Sequence, residues 1–142
     1  SDMDGFSLEA RSLPPRDSSW SRKALADRQR AGISDGLPGA IVRARVDNTN
    51  PLAFGFGDIY YSLKTGSDLY EAPAVAEAPV WLDQNYQSYG FIGSRVKPAL
   101  KDTPVVTVKK SGYGDAVYFI DNPLFRSFWQ QGKLMIANAV FY

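Results

Sequence analysis

Thr103-Pro104-Val105-Val106-Thr107-Val108-Lys109-Lys110, then Ser111-Gly112-Tyr113-Gly114, then Asp115-Ala116-Val117-Tyr118-Phe119-Ile120-Asp121, is the stretch whose reading decides the fold. β-branched and aromatic residues fill both arms and glycines punctuate the middle, so it reads as two strands joined by a hairpin turn. The second arm is apolar on both faces, which predicts a strand inside a covered sheet. Asn122-Pro123 opens a turn. Residues 124–142 then read as one long helix, apolar nearly all round and so packed on the sheet. Gly132 inside it is expected to mark a bend or a break.

Working upstream, Ala40-Ile41-Val42-Arg43-Ala44-Arg45-Val46 alternates cleanly, with Val42, Ala44 and Val46 on one face and Arg43 and Arg45 on the other. Asp47-Asn48-Thr49-Asn50-Pro51 breaks that strand, and the glycine-laced run Leu52 to Gly57 reads as a tight bend. Residues 59–63 and 78–82 read as two short strands, residues 83–91 show neither a helical nor a strand period, and residues 93–100 read as a short helix or turn. Nearer the start, Ser18 or Ser19 can cap a helix over residues 20–31, with Trp20, Ala24 and Ala31 sharing a face, Leu25 beside them and Gly32 as the stop. Pro14-Pro15 and the serines after them predict a loosely ordered segment 1–19, leaving 20–142 as a single domain.

The chain has 142 residues, enough for one hydrophobic core. It is 44% hydrophobic, 22% charged and 13% aromatic, which excludes a disordered chain, a coiled coil and a collagen-like fibre. The net charge of +1 supplies no electrostatic reason for nucleic acid or an anionic membrane as partner. No apolar run approaches the ~20 residues that span a bilayer. Any export signal would lie upstream of Ser1.

Cysteine and histidine are both absent. That removes thiolate nucleophiles, disulfides, Cys-ligated metals, imidazole bases and His-containing zinc sites. A carboxylate-only calcium or magnesium site and a carboxylate-pair glycosidase stay open, though no Asp-x-Asp-x-Asp-Gly loop is present. We therefore expect no catalytic residue, no metal and no cofactor in this chain.

Four groupings invite a functional reading beside a plainer one. Arg22, Lys23, Arg28 and Arg30 could hold an anion, or simply form a solvated helix face. Asp68, Glu71, Glu77 and Asp83 lie in a stretch from Thr65 to Ser94 without Lys or Arg and could recruit a cation or sugar, or be an ordinary solvated hairpin region. Trp81, Tyr86, Tyr89 and Phe91 resemble a sugar-stacking platform, although aromatics more often plug a core. Asp121, Asn122 and Arg126 sit where a strand ends and a helix begins, a place where α/β folds gather ligands. Asn122 could also simply cap the helix, with Arg126 pairing to Asp121 or another carboxylate. Gly112-x-Gly114 is too short for a phosphate loop and needs only turn geometry.

Two segments carry a family likeness. The first is Leu37-Pro38-Gly39-Ala40-Ile41-Val42 through Val46-Asp47, continuing as Asn50-Pro51-Leu52-Ala53-Phe54-Gly55. The second runs from Gly112-Tyr113-Gly114-Asp115 through Asp121-Asn122-Pro123-Leu124-Phe125-Arg126 to Lys133-Leu134-Met135-Ile136-Ala137-Asn138-Ala139. Together they resemble the C-terminal end of bacterial zinc carboxypeptidases of the carboxypeptidase A-like family, in which a domain similar to class I glutamine amidotransferases follows the catalytic domain. The resemblance implies an α/β class (α+β as a fragment): the C-terminal part of an amidotransferase/flavodoxin-like layered fold, with a mixed sheet and a buried C-terminal helix. It implies a non-catalytic accessory domain of a secreted or periplasmic metallocarboxypeptidase, with zinc held in the parent's catalytic domain. The expected partners are that peptidase domain or the missing half-domain, and an open sheet edge would take a second copy. The alternative is a carbohydrate- or cell-wall-binding module built on Trp81, Tyr86, Tyr89 and Phe91.

Overall fold

β1 (Gly39–Val46) keeps its alternation in the computed structural model, which describes residues 8–16, 19, 23–74, 76–127 and 129–141. Val42, Ala44 and Val46 are buried and Arg45 is exposed on the other face. One edge of β1 pairs with β2 (Ile59–Lys64). The turn between them is built by short polar side chains: Asp47 Oδ1 accepts from the Thr49 backbone N–H (3.0 Å) and hydroxyl (2.6 Å). Asn50 Oδ1 accepts from Leu52 N–H (3.0 Å) and caps the 3₁₀ turn Pro51–Ala53.

The other edge of β1 carries β3 (Glu77–Trp81) and β4 (Gln87–Phe91) in line, with Trp81 opposite Arg45 and Gln87 opposite Arg43; residues 82–86 loop out between them. β4 occupies part of the stretch that shows no period in the sequence. Its side chains are mostly exposed, so backbone pairing to β1 makes it a strand without a hydrophobic pattern to announce it. Gly90 adopts φ +109° there, and a Cβ would come within 2.8 Å of Gly39 O. β5 (Pro104–Ser111) follows the short helix α1 (Val96–Ala99) and pairs with β3, and β6 (Gly114–Phe119) completes the hairpin. An earlier helix, Leu25–Gly32, precedes β1. Trp20 lies outside the described residues, and Leu25 is exposed.

The strand order is β2-β1-β3-β5-β6, with β4 beside β1, and every pairing among the described residues is antiparallel. The class is α+β: a curled antiparallel sheet with a C-terminal helix. The expected mixed sheet is not formed, and the arrangement does not fit the amidotransferase/flavodoxin-like layered fold, whose parallel strands need crossover helices. β6, expected inside a covered sheet, is the last strand and is only half-buried; Val117 and Phe119 pack on the core while the strand's outer edge pairs with no strand among the described residues.

Val42, Ala44, Tyr60, Val80, Val106 and Met135 form the centre of the core. The C-terminal helix, α2 (Gln130–Phe141), is shorter than the 124–142 expected. Positive φ at Arg126 and Ser127, within the 3₁₀ turn Phe125–Ser127, separates that turn from the helix. It is also not buried all round: Gly132 and Met135 are buried, whereas Leu134, Val140 and Phe141 face outward. A single helix on one side of a sheet can cover only the stripe that faces it. Gly132 marks no bend; a Cβ there would overlap the Pro123 carbonyl, so it is the contact at which α2 meets the preceding turn. α2 also closes the outer edge of β2: Trp129 Nε1, just before it, donates to Tyr61 O (2.7 Å), and Gln131 Oε1 accepts from Tyr61 N–H (3.0 Å).

Residues 8–16, expected to be loosely ordered, form a strap. Ala10 bridges Tyr70, Arg11 N–H donates to Leu69 O (2.8 Å) and Glu71 N–H to Glu9 O (2.9 Å). The Arg11 guanidinium clasps Glu71 with both arms (2.8 and 2.5 Å) and reaches Ala99 O (3.1 Å). Further along, Arg16 and Arg95 both pair with Asp35, and Arg95 also donates to Pro14 O. The hydrogen bond from Arg11 holds the Glu71 carboxyl below its ordinary range. Burial pushes the Asp35 carboxyl up, but Arg16 and Arg95 together outweigh it and leave it lowered.

Three outcomes are expected. Met135→Ala should lower stability by roughly 2–5 kcal/mol in urea denaturation, and Gly132→Ala should be more damaging than an ordinary helical Gly→Ala change, which is normally favourable by up to about 1 kcal/mol. Carboxyls with lowered folded pKa values stabilise above their unfolded values and stop doing so as pH falls through the folded ones. The strap should therefore hold above about pH 4 and loosen below it, seen as faster amide exchange at Arg11 and Glu71 while the Val42 and Val106 amides stay protected.

Candidate functional site

The polar side chains that come together inside the molecule are not the ones the sequence singles out as a group. Tyr60, Ser62 and Lys64 sit opposite Ala44, Val42 and Ala40 on β1, and directly opposed residues share a face, so all three point toward the core. Asp121, just beyond β6, meets them. Lys64 Nζ donates to Asp121 Oδ1 (2.8 Å) and the Ser62 hydroxyl to Oδ2 (2.7 Å). The Lys64 side chain is 2% exposed and that of Asp121 10%. Burial, and then the charge of Asp121, push the Tyr60 phenol up to about 12.

Both Asp121 oxygens and the Lys64 Nζ are engaged within the cluster. Strand order places β2 and β6 at opposite ends of the sheet, so this contact joins those ends. Asp121, Asn122 and Arg126 do not converge. Asn122 Oδ1 accepts from Leu124 N–H (3.0 Å), serving the turn, and the Arg126 guanidinium lies 5.1 Å from the centre of the Phe125 ring. Among the described residues Arg126 makes no ion pair with Asp121 or another carboxylate, and Lys64 pairs with Asp121 instead.

The four aromatics divide into two pairs. Trp81 is half-buried on β3. Tyr86 packs against the core, donates to Lys97 O (2.8 Å), and burial pushes its phenol up to about 12. Tyr89 and Phe91 are 57% and 49% exposed. They stand opposite Ile41 and Gly39, hence on one outer face of the sheet, about 7 Å apart along the strand. Ile41 also pairs with Leu63, so Leu63, Ile41 and Tyr89 form a row across three strands. Arg43 Nη1 reaches Gln87 Oε1 (3.4 Å) beside that row.

The acidic stretch is largely spent on partners elsewhere: Glu71 on Arg11, Glu77 on Asn50 Nδ2 (2.7 Å) and Asp83 on Arg45 (2.9 Å). Of the basic cluster, Arg22 and the Arg30 side chain lie outside the described residues, while Arg28 Nε donates to Lys23 O (2.8 Å). Among the described residues no group of three or more acidic side chains is placed to hold a metal ion, and no helix is long and apolar enough to cross a membrane. Ser62 and Lys64 are not legible as site residues in the sequence. Their i, i+2 spacing with Tyr60 is a signal, but the apolar Ile59, Tyr61 and Leu63 between them point to the opposite face as the buried one.

No family model, no curated protein and no solved structure matches the chain.

Asp121→Asn should strand the buried ammonium and destabilise the fold by about 3–5 kcal/mol. Adding Lys64→Met in the same chain should recover more than half of that loss in urea denaturation. A double variant no more stable than the single one would mean that the charge pair is not what the site needs.

Proposed function

We propose that this chain is a non-catalytic accessory module of a larger hydrolase, with a secreted or periplasmic zinc metallocarboxypeptidase as parent. The parentage rests on the likeness carried by residues 37–55 and 112–139. The accessory role rests on one observation: the buried ionisable groups engage each other, while Tyr89 and Phe91 stand exposed on the outer sheet face. Exposed aromatics on a rigid strand suit docking, because they bury large area at small entropic cost. The peptidase domain is the partner proposed for that face. Zinc belongs to the parent's catalytic part and not to this chain.

A carbohydrate- or cell-wall-binding role keeps support from the same pair, since two neighbouring exposed aromatics offer ring faces on which a sugar chain can stack. Trp81 and Tyr86 do not contribute a flat exposed ring to that platform.

Co-expression with the peptidase domain encoded upstream separates the two. Tyr89→Ser with Phe91→Ser should leave the isolated chain's Tm within a few degrees, as expected for exposed sites, and should weaken its association with the peptidase. Retained association, together with loss of binding to peptidoglycan fragments, would move the assignment to the cell wall. Peptide or glycoside hydrolysis by the purified chain would end both readings.

A further inference from the structure

A cleft of about 590 Å³ opens between the Pro51–Ala53 turn, the β5–β6 hairpin and α2, a volume typical of small-molecule sites. Val108 and Val117, cross-strand partners, give it an apolar surface that Leu52 and Ala139 extend. Three charged side chains also line it. Glu77 sits opposite Val108 on one side, while Lys110 lies two residues further along β5 and faces Asp115 on β6.

The placement of those charges limits what can enter. Lys110 and Asp115 have no ion-pair partner among the described residues, although they lie directly across from each other. Asn50 donates to Glu77 Oε2. Asn138 uses its amide nitrogen on Leu52 O and Phe54 O (2.8 Å each). A plain anion would meet two carboxylates against one ammonium. A plain cation would meet Lys110, and a hydrocarbon would desolvate all three charges without pairing any. Glu77 and Lys110 are diagonal neighbours across β3 and β5, with Cβ atoms about 7 Å apart. A ligand with an ammonium and a carboxylate separated by one or two residues bridges that span and lays an apolar side chain on the valines.

We propose that this cleft binds an apolar amino acid or dipeptide with both termini free, its ammonium on Glu77, its carboxylate on Lys110 and its side chain against Val108 and Val117. The assignment goes beyond the accessory role and does not depend on it.

The test is an amide-resolved NMR titration of the purified chain with the dipeptide Leu-Leu and with its N-acetylated, C-amidated form. Saturable shifts are expected at residues 50–52, 77, 108–117 and 138–139, with Kd on the order of 0.1–5 mM for a partly open site. Capping both ends should weaken binding at least ~10-fold, and Lys110→Met or Glu77→Gln alone about 3–10-fold with Tm unchanged. Val117→Trp should fill the cleft and abolish binding; if that variant does not fold, Lys110→Met decides. Equal binding of the capped peptide, shifts centred elsewhere, or no saturation up to ~20 mM would overturn the proposal.

Discussion

The contact between Lys64 and Asp121 governs the shape of this molecule. Laid flat, the order β2-β1-β3-β5-β6 would hold the two outer strands four spacings apart, about 19 Å at the usual inter-strand distance. The ammonium and carboxylate instead meet at 2.8 Å. The sheet has to curl for that to happen, and the core lies within the curl. A buried ion pair adds little net stability over an apolar pair of the same volume. Its effect is on uniqueness: with Ser62 and Tyr60 beside it, it admits one facing of β2 and disfavours a register slip that would leave a charge in the core.

That constraint explains the elements on either side. β1 lies between β2 on one edge and β3 and β4 on the other, and its buried face of Val42, Ala44 and Val46 is the surface on which the rest of the core assembles. α2 covers part of the sheet through Met135, comes close to the preceding turn at Gly132, and closes the outer edge of β2 with Gln131 and the neighbouring Trp129. The edge of β4 has no such cover among the described residues, and the exposed Tyr89 and Phe91 lie on that strand. The fold therefore pairs the buried Lys64 with Asp121 and leaves Tyr89 and Phe91 exposed on one outer strand.

Much of the strand layout was legible in the sequence. The alternation over residues 40–46, the polar turn at Asp47 to Pro51 and the glycine turn at 111–114 all reappear, because each is specified by neighbours along the chain. The misreadings share a cause. β4 has a backbone reason to be a strand but no buried side chains to give it a period. β6 and α2 are rich in apolar residues, which suggested full burial, yet one is an edge strand and the other a helix covering a single stripe. For the candidate site, Asp121 is legible at its strand end and its partner is not: in Ile59–Lys64 the apolar alternation points one way and the structure places the other set inward.

By itself the sequence determined what this chain lacks and where it turns: without imidazole or thiol it has no ordinary nucleophile–base pair, and its short polar and glycine residues set the bends through local hydrogen bonding and backbone sterics. Only the tertiary structure decided which face of β2 looks inward, that all pairings among the described residues are antiparallel, and which aromatics remain in water. Those outcomes depend on partners far apart in the chain, such as Lys64 with Asp121 and Arg11 with Glu71, and no local pattern encodes the meeting of two residues that only the closed sheet or the docked strap brings within hydrogen-bonding distance.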